Sequence, residues 1–115
     1  MEKIREFCPA DRYRYDFGLC SDSNGFAQID TWQDASYYGT WANPEKLIIF
    51  NYCEGDTCLT KCETAEEFRA EIYALKKWAD ESGGEGERGF RGIDPGLNPD
   101  NIQKWRDIGL AELLH

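Results

Sequence analysis

Hydrophobic and polar positions change period once along the chain. Before residue 64 apolar residues alternate with polar ones or form short runs; after it they recur at helical spacing. Phe68, Ile72, Leu75 and Ala79 form one apolar stripe, and Glu66, Arg69, Lys76, Lys77 and Asp80 occupy the opposite face. Thr64 followed by Glu67 is a capping box, which satisfies the amides that open a helix. Ser82-Gly83-Gly84 ends it, so a helix is predicted over about 64–81. A glycine-rich connector covers 83–92, and Ile93-Asp94-Pro95-Gly96 reads as a turn. Asn98-Pro99 then supplies a cap and a first-turn proline for a second helix over about 99–114. Ile102, Trp105 and Ile108 face inward there, and Gly109 is a candidate break before a short last turn at 111–114.

The first half reads as strands. Asn24-Gly25 is the dipeptide best suited to a two-residue hairpin turn, which sets Ser23 opposite Phe26, Asp22 opposite Ala27 and Cys20 opposite Ile29. The flanking strands then cover about 13–22 and 26–32. A third, 36–41, stops at Ala42-Asn43-Pro44, where proline restricts the residue before it. Leu47–Cys53 and Cys58–Cys62 make the fourth and fifth, separated by Glu54-Gly55-Asp56-Thr57. The predicted fold is α+β: a single domain over 1–115, with a five-stranded antiparallel meander over about 13–62 and two C-terminal helices packed on one face.

Composition narrows the partners. The 22 acidic residues outnumber 13 basic ones, for a net charge of −9 over 115 residues. Direct nucleic-acid binding needs a lysine and arginine surface, and anionic membranes need the same, so both are excluded as expectations. No apolar run approaches the roughly 20 residues of a membrane span, and the charged amino end does not resemble a signal peptide. Five cysteines without an export signal point to free thiols in a reducing cytoplasm.

Cys53, Cys58 and Cys62 lie within ten residues and suggest zinc. The spacing lacks a second ligand pair, however, and the only histidine is His115, so small hydrophobes facing the helix are favoured. If Gly55-Asp56 is the hairpin tip, Cys53 faces Cys58, a geometry open to a disulfide that the compartment disfavours. Asp30 and Asp34, flanking Thr31-Trp32-Gln33, are the candidate catalytic or magnesium-binding carboxylates, set against solvated strand and turn residues. One histidine at an expected frayed end leaves no partner for a serine or cysteine nucleophile. The Asp22-Ser23-Asn24-Gly25 segment lacks the later ligands of a calcium loop. The glycine-rich connector lacks the lysine of a phosphate loop. No cofactor is expected.

Binding surfaces remain. Residues 54–87 carry ten acidic and four basic side chains, a local −6, whereas 88–115 is neutral. Glu54, Asp56, Glu63, Glu66, Glu67 and Glu71 therefore define an expected acidic edge, suited to a basic, nucleic-acid-binding surface of a protein partner. Trp32, Tyr37 and Trp41 are expected to form an aromatic patch on an uncovered sheet face, since aromatic rings concentrate in interface hot spots.

The run Ala27-Gln28-Ile29-Asp30-Thr31-Trp32-Gln33-Asp34-Ala35-Ser36-Tyr37-Tyr38-Gly39-Thr40-Trp41-Ala42-Asn43-Pro44 resembles short proteins of proteobacterial phages, prophages and plasmids. Glu54-Gly55-Asp56, Gly92-Ile93-Asp94-Pro95-Gly96 and Leu113-Leu114-His115 extend the resemblance, which spans about residues 13–115. The group has no known activity; what it implies is a mobile-element protein in a bacterial cytoplasm. Small acidic phage proteins include anti-CRISPR and anti-restriction inhibitors, some of them DNA mimics. By that analogy of context the leading expectation is a non-enzymatic protein that binds and inhibits a host protein. A small carboxylate-based or metal-assisted enzyme around Asp30 and Asp34 is the alternative.

Overall fold

The computed structural model describes residues 3–9, 25–33, 38–54, 56–86 and 89–115, with 3–9, 56 and 57 described through their backbone. Strands β1 (Lys3–Pro9), β2 (Ala27–Asp30), β3 (Tyr38–Asn43), β4 (Ile48–Cys53), β5 (Asp56–Cys62) and β6 (Gly92–Asp94) form one sheet in the order β1-β5-β4-β3-β2-β6. Every strand pair is antiparallel. Helix α1 (Ala65–Ser82) lies between β5 and β6, and helix α2 (Pro99–Asp107) and a 3₁₀ turn at Ala111–Leu113 follow β6. The architecture is α+β with an antiparallel sheet, as the change of hydrophobic period predicts, and β2 to β5 run as a meander.

Both sheet edges come from segments that the pattern did not mark as strands. Lys3–Pro9 pairs along the whole of β5, from Lys3 with Cys62 to Pro9 with Asp56. At the other edge Gly92–Asp94 pairs with β2, so Ile93 takes the place opposite Ile29 that the hairpin reading assigned to Cys20. The predicted strand 13–22 lies outside the described residues. The β4–β5 register is also shifted from the expected one: Cys53 is opposite Asp56 and Cys58 opposite Asn51. Glu54 takes a left-handed φ of 47° to close the turn, a conformation that two-residue hairpin loops require.

Cross-strand partners share a sheet face. Ala27, Ile29, Ala42, Ile49, Cys62 and Ile93 share one buried cluster with Phe68 and Ile72 of α1 and Trp105 of α2. The Phe68 and Trp105 rings lie 5.8 Å apart, tilted by 46°. Trp41, Phe50 and Leu59 are partners of one another on the opposite face, and with Phe26 they form a second buried cluster. Phe50 is 0% exposed and Trp41 5%. The expectation of a wet sheet face with exposed rings is therefore corrected at these positions.

Local chemistry explains the helix limits. Thr64 Oγ1 accepts the Glu67 amide at 3.1 Å, capping α1. Only that half of the capping box forms, because both Glu67 carboxylate oxygens are buried without a partner among the described residues. Asn98 Oδ1 caps α2 by accepting the Asp100 amide at 3.0 Å. Gly109, at φ +85°, ends α2, since glycine adopts positive φ without steric cost. The Arg69 guanidinium donates to the Ile108 carbonyl at 3.1 Å and ties the two helices together there.

Candidate functional site

Leu75 and Trp78, three residues apart on α1, are neighbours on the helix surface. They face β3 and β4 across a cleft of about 270 Å³. Tyr38, Thr40, Asn51 and Cys53 line its sheet side, Tyr52 and Gly39 contribute, and Gln33 closes one end. The register explains the convergence: Tyr38 is opposite Cys53 and Thr40 opposite Asn51, which puts all four on one sheet face.

Two hydrogen bonds organise these polar groups. Thr40 Oγ1 donates to Asn51 Oδ1 at 2.8 Å. The Tyr38 hydroxyl donates to Glu54 Oε1 at 2.8 Å, and that bond to a carboxylate pushes the Tyr38 pKa up from its ordinary value. Both hydroxyl hydrogens are thus used within the site, and the oxygens keep lone pairs for a ligand. The Asn51 and Gln33 amides and the Cys53 thiol bring the remaining donors.

Trp78 forms the lip. It is 44% exposed, and its ring lies 6.0 Å from that of Trp32, the planes tilted by 30°. An apolar-walled cleft with a few convergent polar groups is the general form of a binding site, and exposed tryptophan is the residue type most enriched at interface anchors.

The residues singled out by sequence separate in space. Of the aromatic three, Trp32 is half-buried against Trp78, Trp41 lies in the second core cluster, and Tyr37 lies outside the described residues. Trp41 therefore offers no docking ring, because alternation carries it to the buried side opposite Tyr38. The acidic set divides along β5, whose seven residues span roughly 20 Å. Glu54 is exposed at the hairpin end, and Glu63 and Glu66 are exposed at the helix end. Glu71 is half-buried, while Glu67, at 2% exposed, is not part of any surface. Asp56 is known through its backbone alone.

Asp30 ends β2 and lies 3.0 Å from His115 Nε2; Asp34 lies outside the described residues. His115 is not frayed: its amide donates to the Ile93 carbonyl at 3.0 Å, beside a parallel bridge between Ile93 and Leu114. The cysteines do not gather. Cys53 is exposed, Cys58 half-buried and Cys62 buried. Cys58 and Cys62 stand four residues apart on one strand, roughly 13 Å, beyond the span of two ligands on one zinc ion. No group of three histidine, cysteine or acidic side chains among the described residues is placed to hold a metal. No helix among them is long and apolar enough to cross a membrane.

Pattern reading missed Thr40, Asn51 and Trp78. Trp78 carried a usable signal, a large aromatic lying off the Phe68-Ile72-Leu75-Ala79 stripe. Thr40 and Asn51 carried none, because their pairing depends on the β3–β4 register. No family model matches the chain, and no curated protein or solved structure matches it.

Proposed function

We propose that this chain is a non-enzymatic acidic protein that binds and inhibits a host protein, with a defence nuclease complex as the leading target class. The observation that carries the reading is Trp78, nearly half exposed at the mouth of an apolar-walled cleft and backed by Trp32. A ring held in that way keeps little rotamer freedom to lose on binding, which favours its use as an anchor. The net charge of −9 steers the encounter toward a basic partner surface, and the exposed Glu54, Glu63 and Glu66 supply rim charge. This differs from the surface expected from sequence, where Trp41 and Glu67 had been included.

The test is a tagged pull-down from lysate of a proteobacterium with active CRISPR and restriction systems, at low and high salt, read by mass spectrometry. Wild type is compared with Trp78→Ala and with the double variant Glu63→Lys/Glu66→Lys, each first shown to melt cooperatively. The expected result is a stoichiometric partner lost with Trp78→Ala and weakened by salt. A partner retained equally by Trp78→Ala removes the tryptophan lip from the reading, and capture of no partner removes docking on these systems altogether.

A further inference from the structure

The cleft beside Trp78 has a chemical bias of its own. Among the described residues its lining contains no lysine or arginine. The helical neighbours of Trp78 one turn away on either side are Ala74, Leu75, Glu81 and Ser82. Lys76 is turned away, its Nζ 2.8 Å from Asp80 Oδ2 and 5.7 Å from the centre of the Phe90 ring. Across the cleft stands Glu54, exposed, with one carboxylate oxygen taken by Tyr38. The cleft is therefore flanked on its sheet side by an acidic group, Glu54.

Inside, the two hydroxyls have donated their hydrogens, to Glu54 and to Asn51. What Tyr38 Oη, Thr40 Oγ1 and Asn51 Oδ1 have left to offer is lone pairs. Flat aromatic surface, several acceptors and a flanking carboxylate together match a planar cation rich in N–H donors. Arginine fits that description: its guanidinium has five N–H donors, stacks on aromatic faces and is weakly hydrated. Lysine fits less well, being a compact, strongly hydrated charge with no plane to lay against a ring. A cleft of about 270 Å³ has room for one such side chain.

We propose that the cleft between α1 and the β3–β4 strands is an anchor pocket for an arginine side chain on a basic segment of the protein partner. The guanidinium lies against the Trp78 ring and donates to Glu54, Tyr38 and Asn51. This inference rests on the docking reading above and names the chemistry that the partner brings.

The test uses the full chain and three blocked tripeptides, glycine-X-glycine with X as arginine, lysine or citrulline, followed by NMR at low ionic strength. Citrulline keeps the planar shape and loses the charge. The expected result is saturable shifts of the Trp78 indole and the Thr40 and Asn51 amides with the arginine peptide. Binding is expected to be roughly tenfold or more weaker with citrulline, intermediate with lysine, and reduced by salt. Trp78→Ala and Glu54→Gln each weaken the arginine peptide. Equal binding of citrulline and arginine overturns the proposal, as do shifts confined to Glu63 and Glu66, or no shifts at all. A lysate partner that Trp78→Ala loses, with no arginine binding in the cleft, sinks this inference and leaves the docking reading standing. Arginine binding with a partner insensitive to Trp78→Ala does the reverse.

Discussion

His115 Nε2 sits 3.0 Å from Asp30 Oδ2, joining positions 85 apart in the chain. The contact is partly open to solvent, with the two side chains 44% and 29% exposed, and exposed pairs of this kind contribute about 0–1 kcal/mol. The backbone beneath it matters more. Gly92 has a φ of +135°, and a Cβ there would fall 2.6 Å from His115 Cδ2. Urea denaturation is expected to show Asp30→Asn within about 1 kcal/mol of wild type and Gly92→Ala destabilised by about 1–3 kcal/mol. A loss for Asp30→Asn as large as that for Gly92→Ala would show that the side-chain contact, and not the glycine geometry, holds residues 114–115 to β6.

Asn101 is a buried polar link between distant segments. Its Nδ2 donates to the Phe26 carbonyl at 3.1 Å and to the Pro95 carbonyl at 3.0 Å, connecting α2 to the start of β2 and to the turn that precedes the helix. Asn101→Leu leaves two buried carbonyls without donors, at about 1–3 kcal/mol for each unpaired group before relaxation. The expected loss in chemical denaturation is about 2–4 kcal/mol, with Asn101→Asp at least as severe because it sets acceptors against acceptors. A loss below half a kcal/mol in both variants would mean that water replaces the amide.

Glu67 and Glu66 are adjacent acids in the first turn of α1 with opposite environments. Glu66 is exposed near the positive end of the helix dipole, so Glu66→Gln is expected to cost about 0.3–1 kcal/mol at low salt. Glu67 is buried and its carboxyl group unpartnered among the described residues, so Glu67→Gln, which keeps the shape without an ionisable group, is expected to be neutral or stabilising. Thermal melts of the two single variants at one pH give the comparison. Reversed order would place a donor on Glu67. The same reasoning confines charge-reversal tests of partner binding to Glu63 and Glu66, because a lysine at 67 would unfold the helix start.

The elements legible in the sequence are those with local causes. Helix α1 declares itself through Thr64 and the apolar stripe, and α2 through Asn98-Pro99 and the left-handed Gly109. Register at the β4–β5 hairpin was not legible, since both Glu54-Gly55 and Gly55-Asp56 fill a two-residue loop. The observed choice makes a glutamate adopt the left-handed φ, and that choice decides which residue faces Cys53. Strand β6 is three residues long, between a glycine-rich connector and a proline; nothing in so short a segment separates a strand from a turn until β2 is beside it. For Trp41, alternation does set it opposite Tyr38, but which of the two faces is buried is a property of the packed molecule.

Asp80 gathers the end of α1 and the connector. One oxygen accepts from Lys76 Nζ at 2.8 Å, the other accepts the Phe90 amide at 2.9 Å, and a side chain at Gly89 would collide with it. The Lys76 hydrogen bond first, and the Phe90 amide second, hold the Asp80 pKa below its ordinary value of 3.8. A carboxylate with a depressed folded pKa contributes stability that is present above the unfolded value and is lost as pH falls through the folded value. The contribution is therefore complete at neutral pH and declines only below about 3.8. The stability difference between wild type and Asp80→Asn should accordingly stay constant from about pH 6 to about pH 4 and shrink below that. An NMR titration of the Asp80 carboxyl carbon, with the Phe90 amide followed in parallel, should give a shared midpoint under 3.8. Lys76→Met should raise that midpoint, and high salt should raise it in the same direction, because the pair is open to solvent. A midpoint at or above 3.8 in wild type would show that the connector is held by its glycines and the Phe90 ring, without the help of the carboxylate.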